Sequence, residues 1–175
     1  MTFPQAVFLY GEAQDITLTL PLCRTLAALG GVQYFGHGIA ASYGFAGVAG
    51  MRFVLLESES LRCCGVENAV VICKQGVVLP GTIGYADRLY AVCSAPPPPH
   101  LPESVEWVGC ACGKDATLAL SSLREDSAVA ELCRPLPLPG GGNREPGEFP
   151  LRHGVPPEGY PMLCCAALEL LFGVC

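Results

Sequence analysis

The sequence predicts an α/β protein of three layers, a mostly parallel sheet flanked by helices, with antiparallel strands in the C-terminal half. Three observations carry that expectation. Short runs of continuous apolar character, such as AVFLYG at 6–11, RFVLLES at 52–58, NAVVICK at 68–74 and LYAVCSA at 89–95, end in turn or polar residues. Continuous rather than alternating runs belong to strands covered on both faces. A helix-like segment separates the first two strands, and the C-terminal half carries closely spaced strand candidates. With 175 residues, 51% of them apolar and 15% charged, and a mean hydropathy of +0.41, the chain has the material for one large core. We therefore expect a single domain over residues 1–175.

The elements follow in order. AVFLYG reads as a buried strand leaving its sheet through a turn at Gly11. The segment from Asp15 to Gly30 places Leu18, Leu20, Leu22, Leu26 and Leu29 as the apolar side of a helix. Pro21 lies inside it, so the helix begins late or kinks. VQYFG at 32–36 is a second strand, and the small-residue stretch 39–50 reads as a helix or loop pressed on the sheet. Strands at 52–58, 68–74 and 89–95 complete the parallel set. Residues 95–104, with four consecutive prolines, read as an extended connection within the domain. Then VEWVGCA at 105–111, TLALSSL at 117–123 and SAVAELCRPL at 127–136 are strands, the last two forming a hairpin around REDS. A polar loop at 139–149 precedes a possible strand FPLR, and 159–174 reads as a strongly apolar closing helix.

Composition excludes several roles. The net charge is −6 and the only lysines are Lys74 and Lys114, which leaves no basic stripe for a phosphate backbone, so no nucleic-acid partner is expected. No apolar run reaches the ~18 to 20 residues that span a bilayer, and the first residues lack the pattern of a secretory signal. We expect a cytoplasmic protein without a membrane partner. The eleven cysteines are odd in number and lie mostly within apolar runs, as Cys73, Cys93, Cys133, Cys164 and Cys165 do. They read as reduced core thiols. The pairs Cys63/Cys64 and Cys164/Cys165 are adjacent and Cys110/Cys112 one apart, spacings that do not build a zinc site, so no metal centre is expected.

Read together, strand, glycine turn and helix in VFLYGEAQDITLTLPLCRTLAALG, the strand VLLESES at 54–60, the segments LYAVCSA and WVGCACGK, and the closing CCAALELLFGVC resemble the central, ATP-binding domain of the Mur ligases. The resemblance spans nearly the whole chain and rests on order and spacing. It implies a P-loop NTPase-like sheet and, in intact members, ATP-dependent joining of an amine to a carboxylate. The family's phosphate loop has the form GTNGKT. Aligned on Gly11, its second glycine, lysine and threonine fall on Gln14, Asp15 and Ile16, with Thr17 beside them. Such a loop works through backbone N–H groups, a lysine and a magnesium-binding hydroxyl. An acid in place of the ammonium reverses the field, and two unit charges at ~4 Å interact by about 4 kcal/mol at an effective dielectric near 20. Gly11, Gln14, Asp15 and Thr17 are thus the candidate residues of a degenerate nucleotide loop. Asp15 is also suited to cap the helix or sit in its first turn.

Around the same crevice we place His37, Glu57, Glu59 and Lys74. Glu57 matches a magnesium-associated glutamate of the family, and Glu59 lies two residues on, a spacing that puts two carboxylates on one strand face. As residues at a strand end they read as solvated. His37, between glycines at a strand end, is a candidate acid, base or ligand-facing group. Lys74 and Arg88 could meet an anion at the sheet's carboxyl edge. The family's Asp-His pair has no counterpart in CKQGVVLPGTIGYAD. His100 and His153 read as surface residues. Ser121 and Ser122 lack a nucleophile elbow, and GHGIA at 36–40 with Ala41 matches the dinucleotide fingerprint poorly.

The expected function is that of a non-catalytic, Mur-ligase-like binding or accessory protein that takes no cofactor. An alternative is an ATP-dependent ligase or nucleotide-binding subunit, using magnesium and completed by a partner chain. A third is a structural subunit that forms a homo-oligomer.

Overall fold

The computed structural model describes residues 4–44, 51–79, 84–85, 88–111, 115–124, 127–151 and 159–173. Its main feature is a seven-stranded sheet. β1 (Gln5–Tyr10) leads into α1 (Thr19–Leu29), which runs straight into β2 (Gly30–Gly36) and its hairpin partner β3 (Ile39–Tyr43). β4 (Met51–Ser58), a short β5 (Cys63–Cys64), β6 (Ala69–Cys73), a short β7 (Gly84–Tyr85), β8 (Leu89–Cys93) and β9 (Val105–Gly109) follow. The strand order is β3-β2-β4-β1-β6-β8-β9, and every pair in it is parallel except β2 with β3. β4 thus inserts between β2 and β1, and the chain then steps outward on the other side of β1.

The C-terminal half forms antiparallel sheets, as its hairpin signals predict. β10 (Leu118–Leu123), β11 (Ala128–Leu132), β12 (Leu136–Pro137), β13 (Asn143–Arg144) and β14 (Gly147–Pro150) make a three-stranded sheet β10-β11-β14 and a ribbon β12-β13. α2 (Gly159–Phe172) closes the structure.

α1 starts late, as Pro21 requires. Leu18 is the N-cap residue and Pro21 falls in the first turn, where a missing N–H breaks no intrahelical bond. At the other end Gly30 is both C-cap and first residue of β2. It lies so close to β4 that a Cβ there would stand 1.9 Å from the Met51 carbonyl oxygen.

One apolar cluster joins the helices to one sheet face: Val7, Leu9, Val32, Phe53, Leu55, Val70, Ile72 and Val92 meet Leu22 and Leu26 of α1 and Leu163 to Leu171 of α2. Ala130 and Leu132 of the small sheet belong to the same cluster, so α2 is surrounded by the main sheet, α1 and β10-β11. This is why the helix is apolar all round rather than on one stripe. The Phe53 and Phe172 rings meet edge to face at 5.3 Å, and the Arg144 guanidinium donates to the Leu170 and Gly173 carbonyl oxygens, satisfying the end of α2.

Two expectations are corrected here. The segment 39–50 begins not as helix or loop but as strand β3, because His37 (φ 51°) and Gly38 (φ 72°) both take positive φ and make the two-residue turn that closes a hairpin; residues 45–50 lie outside the described residues. The sheet is also not flanked by helices on both faces. Among the described residues α1 and α2 cover one face, and the other is covered by loop side chains including Leu61, Val77, Leu79 and Leu101. The connection 94–104, proline-rich and without helix, joins the neighbouring strands β8 and β9. No helix among the described residues is long and apolar enough to cross a membrane.

Candidate functional site

The carboxyl ends of β1, β2, β4 and β6 meet where the strand order reverses, the position at which open α/β sheets hold their ligands. One side chain organises this crevice. Glu57, near the end of β4, has a side chain only 3% exposed. Its Oε1 lies 2.6 Å from Lys74 Nζ, from the residue following β6. Its Oε2 accepts from the Tyr34 hydroxyl at 2.6 Å and lies 3.1 Å from His37 Nε2. The Thr19 hydroxyl, at the start of α1, donates to the same carboxylate at 3.2 Å. Four segments distant in sequence are thus tied to one carboxylate.

Burial alone would push Glu57 upward. The hydrogen bonds from Lys74 and Tyr34, with the charges of Lys74 and His37, outweigh it and hold the carboxyl below its usual value. Burial and the bond donated to Glu57 push the Tyr34 phenol upward, so it stays a donor.

Lys74 itself is 1% exposed. Its ammonium donates to the Glu12 carbonyl oxygen as well as to Glu57, so it lies beneath the loop that follows β1. Gly11, at φ 145°, lets the loop pass over it: a Cβ there would stand 2.8 Å from Lys74 Cβ. The loop's own N–H groups are also engaged. Gly11 N–H donates to the Ser58 carbonyl at 3.2 Å, Ala13 N–H to Glu59 Oε1 at 2.9 Å, Asp15 N–H to the Glu12 carbonyl at 3.2 Å and Thr17 N–H to Asp15 Oδ1 at 3.1 Å. Four N–H groups of this loop are thus given to two carboxylates of the chain itself and to backbone carbonyls. Both oxygens of Glu57 face groups of the chain itself, Lys74, His37, Tyr34 and Thr19.

The candidates named from sequence therefore divide. His37, Glu57 and Lys74 come together. Gly11, Asp15 and Thr17 lie in the loop above them, and Gln14 is exposed. Glu57 is not the solvated strand-end acid that its position suggested, and it does not converge with Glu59, which turns to Ala13. Lys74 is not a surface residue, its ammonium being engaged by Glu57 and the Glu12 carbonyl oxygen, and Arg88 is not among the groups bonded to Glu57. The reversed field expected around Asp15 is also changed: an ammonium is present, delivered from β6 instead of the loop, and it helps to lower the Asp15 carboxyl.

Asp15 does not cap α1. The N-cap is Leu18 and the first turn holds no acid. Instead Asp15 accepts from both the N–H and the hydroxyl of Thr17, the latter at 2.6 Å, which forms a turn ahead of the helix. The Thr17 hydroxyl is the first cause of its lowered carboxyl. Asp15→Ala is expected to cost about 1 kcal/mol, read as a lowered urea midpoint with an unchanged denaturant slope.

Sequence reasoning missed Tyr34 and Thr19. Tyr34 alternates with Val32 on the helix-facing side of β2, so a polar-tipped aromatic on a core face was the available signal. His100 is exposed, His153 lies outside the described residues, and Ser121 is a strand residue bonded to Glu148. Cys73, Cys93, Cys164 and Cys165 are buried and unbridged, as the apolar runs around them predict, whereas Cys133 is unbridged but only half-buried and does not belong to the core; Cys23 and Cys110 are buried and unbridged as well. Cys112 and Cys175 lie outside the described residues. Among the described residues no group of three or more metal-binding side chains converges.

No protein-family model matches the chain, and no curated protein matches it significantly.

Proposed function

We propose that the protein is a non-catalytic, Mur-ligase-like binding or accessory protein whose phosphate loop is held closed by its own side chains. The observation that carries this reading is the Lys74 ammonium beneath residues 11–17, bonded to the Glu12 carbonyl and neutralised by Glu57. For a triphosphate to enter, Lys74 would have to leave a buried partner, and Glu59 and Asp15 would have to release the loop N–H groups. Both steps oppose binding, because a buried carboxylate left alone is strongly disfavoured. The likeness to the Mur ligase central domain rests on the order of strand, glycine turn and helix, and the parallel sheet with β1 at its centre agrees with it.

Isothermal titration of the full chain with ATP and magnesium tests the proposal. The expected result is no saturable heat up to millimolar nucleotide. Binding in the micromolar range would overturn it and support the alternative of an ATP-dependent ligase subunit that a partner chain completes.

One observation favours a second reading, that of a homo-oligomer. β3 is the sheet's edge strand, carries no charged residue and leaves Ile39 and Tyr43 exposed, without the lysines or prolines that usually guard an edge. Sedimentation equilibrium giving a monomer at all concentrations would remove this reading.

A further inference from the structure

Cys73 and Cys93 are the last residues of β6 and β8, neighbouring parallel strands whose register pairs Ile72 with Val92. The next pair along is therefore Cys73 opposite Cys93. Neighbouring strands lie about 4.8 Å apart, inside the ~4.4 to 6.8 Å window of Cα separations that a disulfide spans. The two sulfurs already touch: the Cys93 thiol donates to Cys73 Sγ at 3.0 Å. On the other face of the sheet the Tyr160 hydroxyl reaches the carbonyl oxygens of Cys73 and Val92, pinning the two strand ends together. Bridging the sulfurs thus asks for side-chain rotation and little movement of the backbone.

We infer that Cys73 and Cys93 are an oxidisable dithiol which a hydroperoxide closes to a reversible disulfide. Among the described residues the loops leaving the two strands meet through the Gly76 N–H to Ser94 Oγ bond of 3.3 Å. Parting them admits a molecule as small as hydrogen peroxide to the strand ends. The bond donated to Cys73 and burial both push the Cys93 thiol up, which keeps it the donor toward Cys73 Sγ. Cys73 Sγ attacks one peroxide oxygen, the O–O bond breaks, and a sulfenic acid and one water result. Cys93 Sγ then attacks the Cys73 sulfur, the S–O bond breaks and a second water leaves. Two thiols are oxidised, one peroxide is reduced to two waters, and the two thiol protons end in those waters. Being fully buried, the pair reacts only through local opening, so closure is slow beside that of an exposed thiol.

The test is peptide mapping of the full chain, reduced, treated with hydrogen peroxide, then alkylated in denaturant. We expect a linked peptide pair containing Cys73 and Cys93, two mass units lighter than the sum of the free peptides and lost on treatment with dithiothreitol. In Cys93→Ala the Cys73 peptide should instead be trapped by dimedone. Recovery of both cysteines alkylated in the wild type, or joined to Cys110, Cys164 or any other thiol, would overturn the inference. The wild-type map decides the question even where the variant does not fold.

Discussion

Glu57→Ala is expected to lower the unfolding free energy by about 3–5 kcal/mol, the usual consequence of stranding a buried charge. The alanine removes the acceptor of Lys74, Tyr34 and Thr19 together, and Lys74, 1% exposed, has no route to water without displacing the loop above it. Equilibrium urea unfolding checks the magnitude. A double-mutant cycle gives the sharper result: Glu57→Leu and Lys74→Met should each be costly alone because each strands the other's charge, whereas the two together should recover much of the loss. Additive costs would contradict a coupled buried pair. The pH dependence has a defined sign. Because the folded protein holds the Glu57 carboxyl below its ordinary value of 4.5, the contribution is present above that value and is lost as the pH falls through the lower, folded one. Wild-type and Glu57→Ala stability curves should therefore lie apart at neutral pH and converge in acid.

Gly30→Ala is the second large effect, expected at or above the upper end of the ~1–3 kcal/mol that overpacking costs. The added methyl would stand 1.9 Å from the Met51 carbonyl oxygen and 2.8 Å from the Met51 nitrogen, and backbone cannot swing aside as a long side chain can. The strain falls on the β2–β4 pairing and on the point where α1 passes into β2, so the carboxyl end of β2, with Tyr34 and His37, should be displaced as well. Gly65→Ala is the control, since a Cβ there meets nothing within 4 Å. Thermal midpoints of the two variants should separate by many degrees; equal midpoints would mean that the strands can part at little cost.

β6 and β8 were legible because each is a short apolar run closed by turn residues, and burial along the whole strand leaves that mark on composition; β2 and β4, whose buried residues alternate with more exposed ones, were legible from their apolar runs alone. α2 was legible for a similar reason, since a helix enclosed on every side has no polar stripe to blur it. β3 was not: Ile-Ala-Ala-Ser-Tyr lacks both alternation and a strong apolar run, and its conformation is set by the hairpin turn at His37-Gly38 rather than by its own residues. The second helical layer was expected from the strand pattern alone, yet the proline-rich connection after β8 forms no helix, and loop side chains cover that face.

In the crevice the loop residues and Glu57 were reached through the resemblance to the Mur ligase central domain, and His37 and Lys74 from their places at strand ends. What spacing could not give was their mutual neutralisation. A glutamate at a strand end reads as solvated until tertiary structure brings a lysine, a tyrosine and a threonine onto it. The meaning of the acid at position 15 likewise depended on a cation arriving from another strand, information that no local window contains.

The arrangement of α2 also bears on how the chain is made. This helix fills the apolar face that β1, β4 and β6 present, yet it is assembled from residues 159–172, while those strands emerge from the ribosome first. Until it arrives, a nascent chain carries a hydrophobic face that α1 covers only in part, a feature that recruits chaperones and seeds misassembly. Completion of this core thus waits on the synthesis of α2.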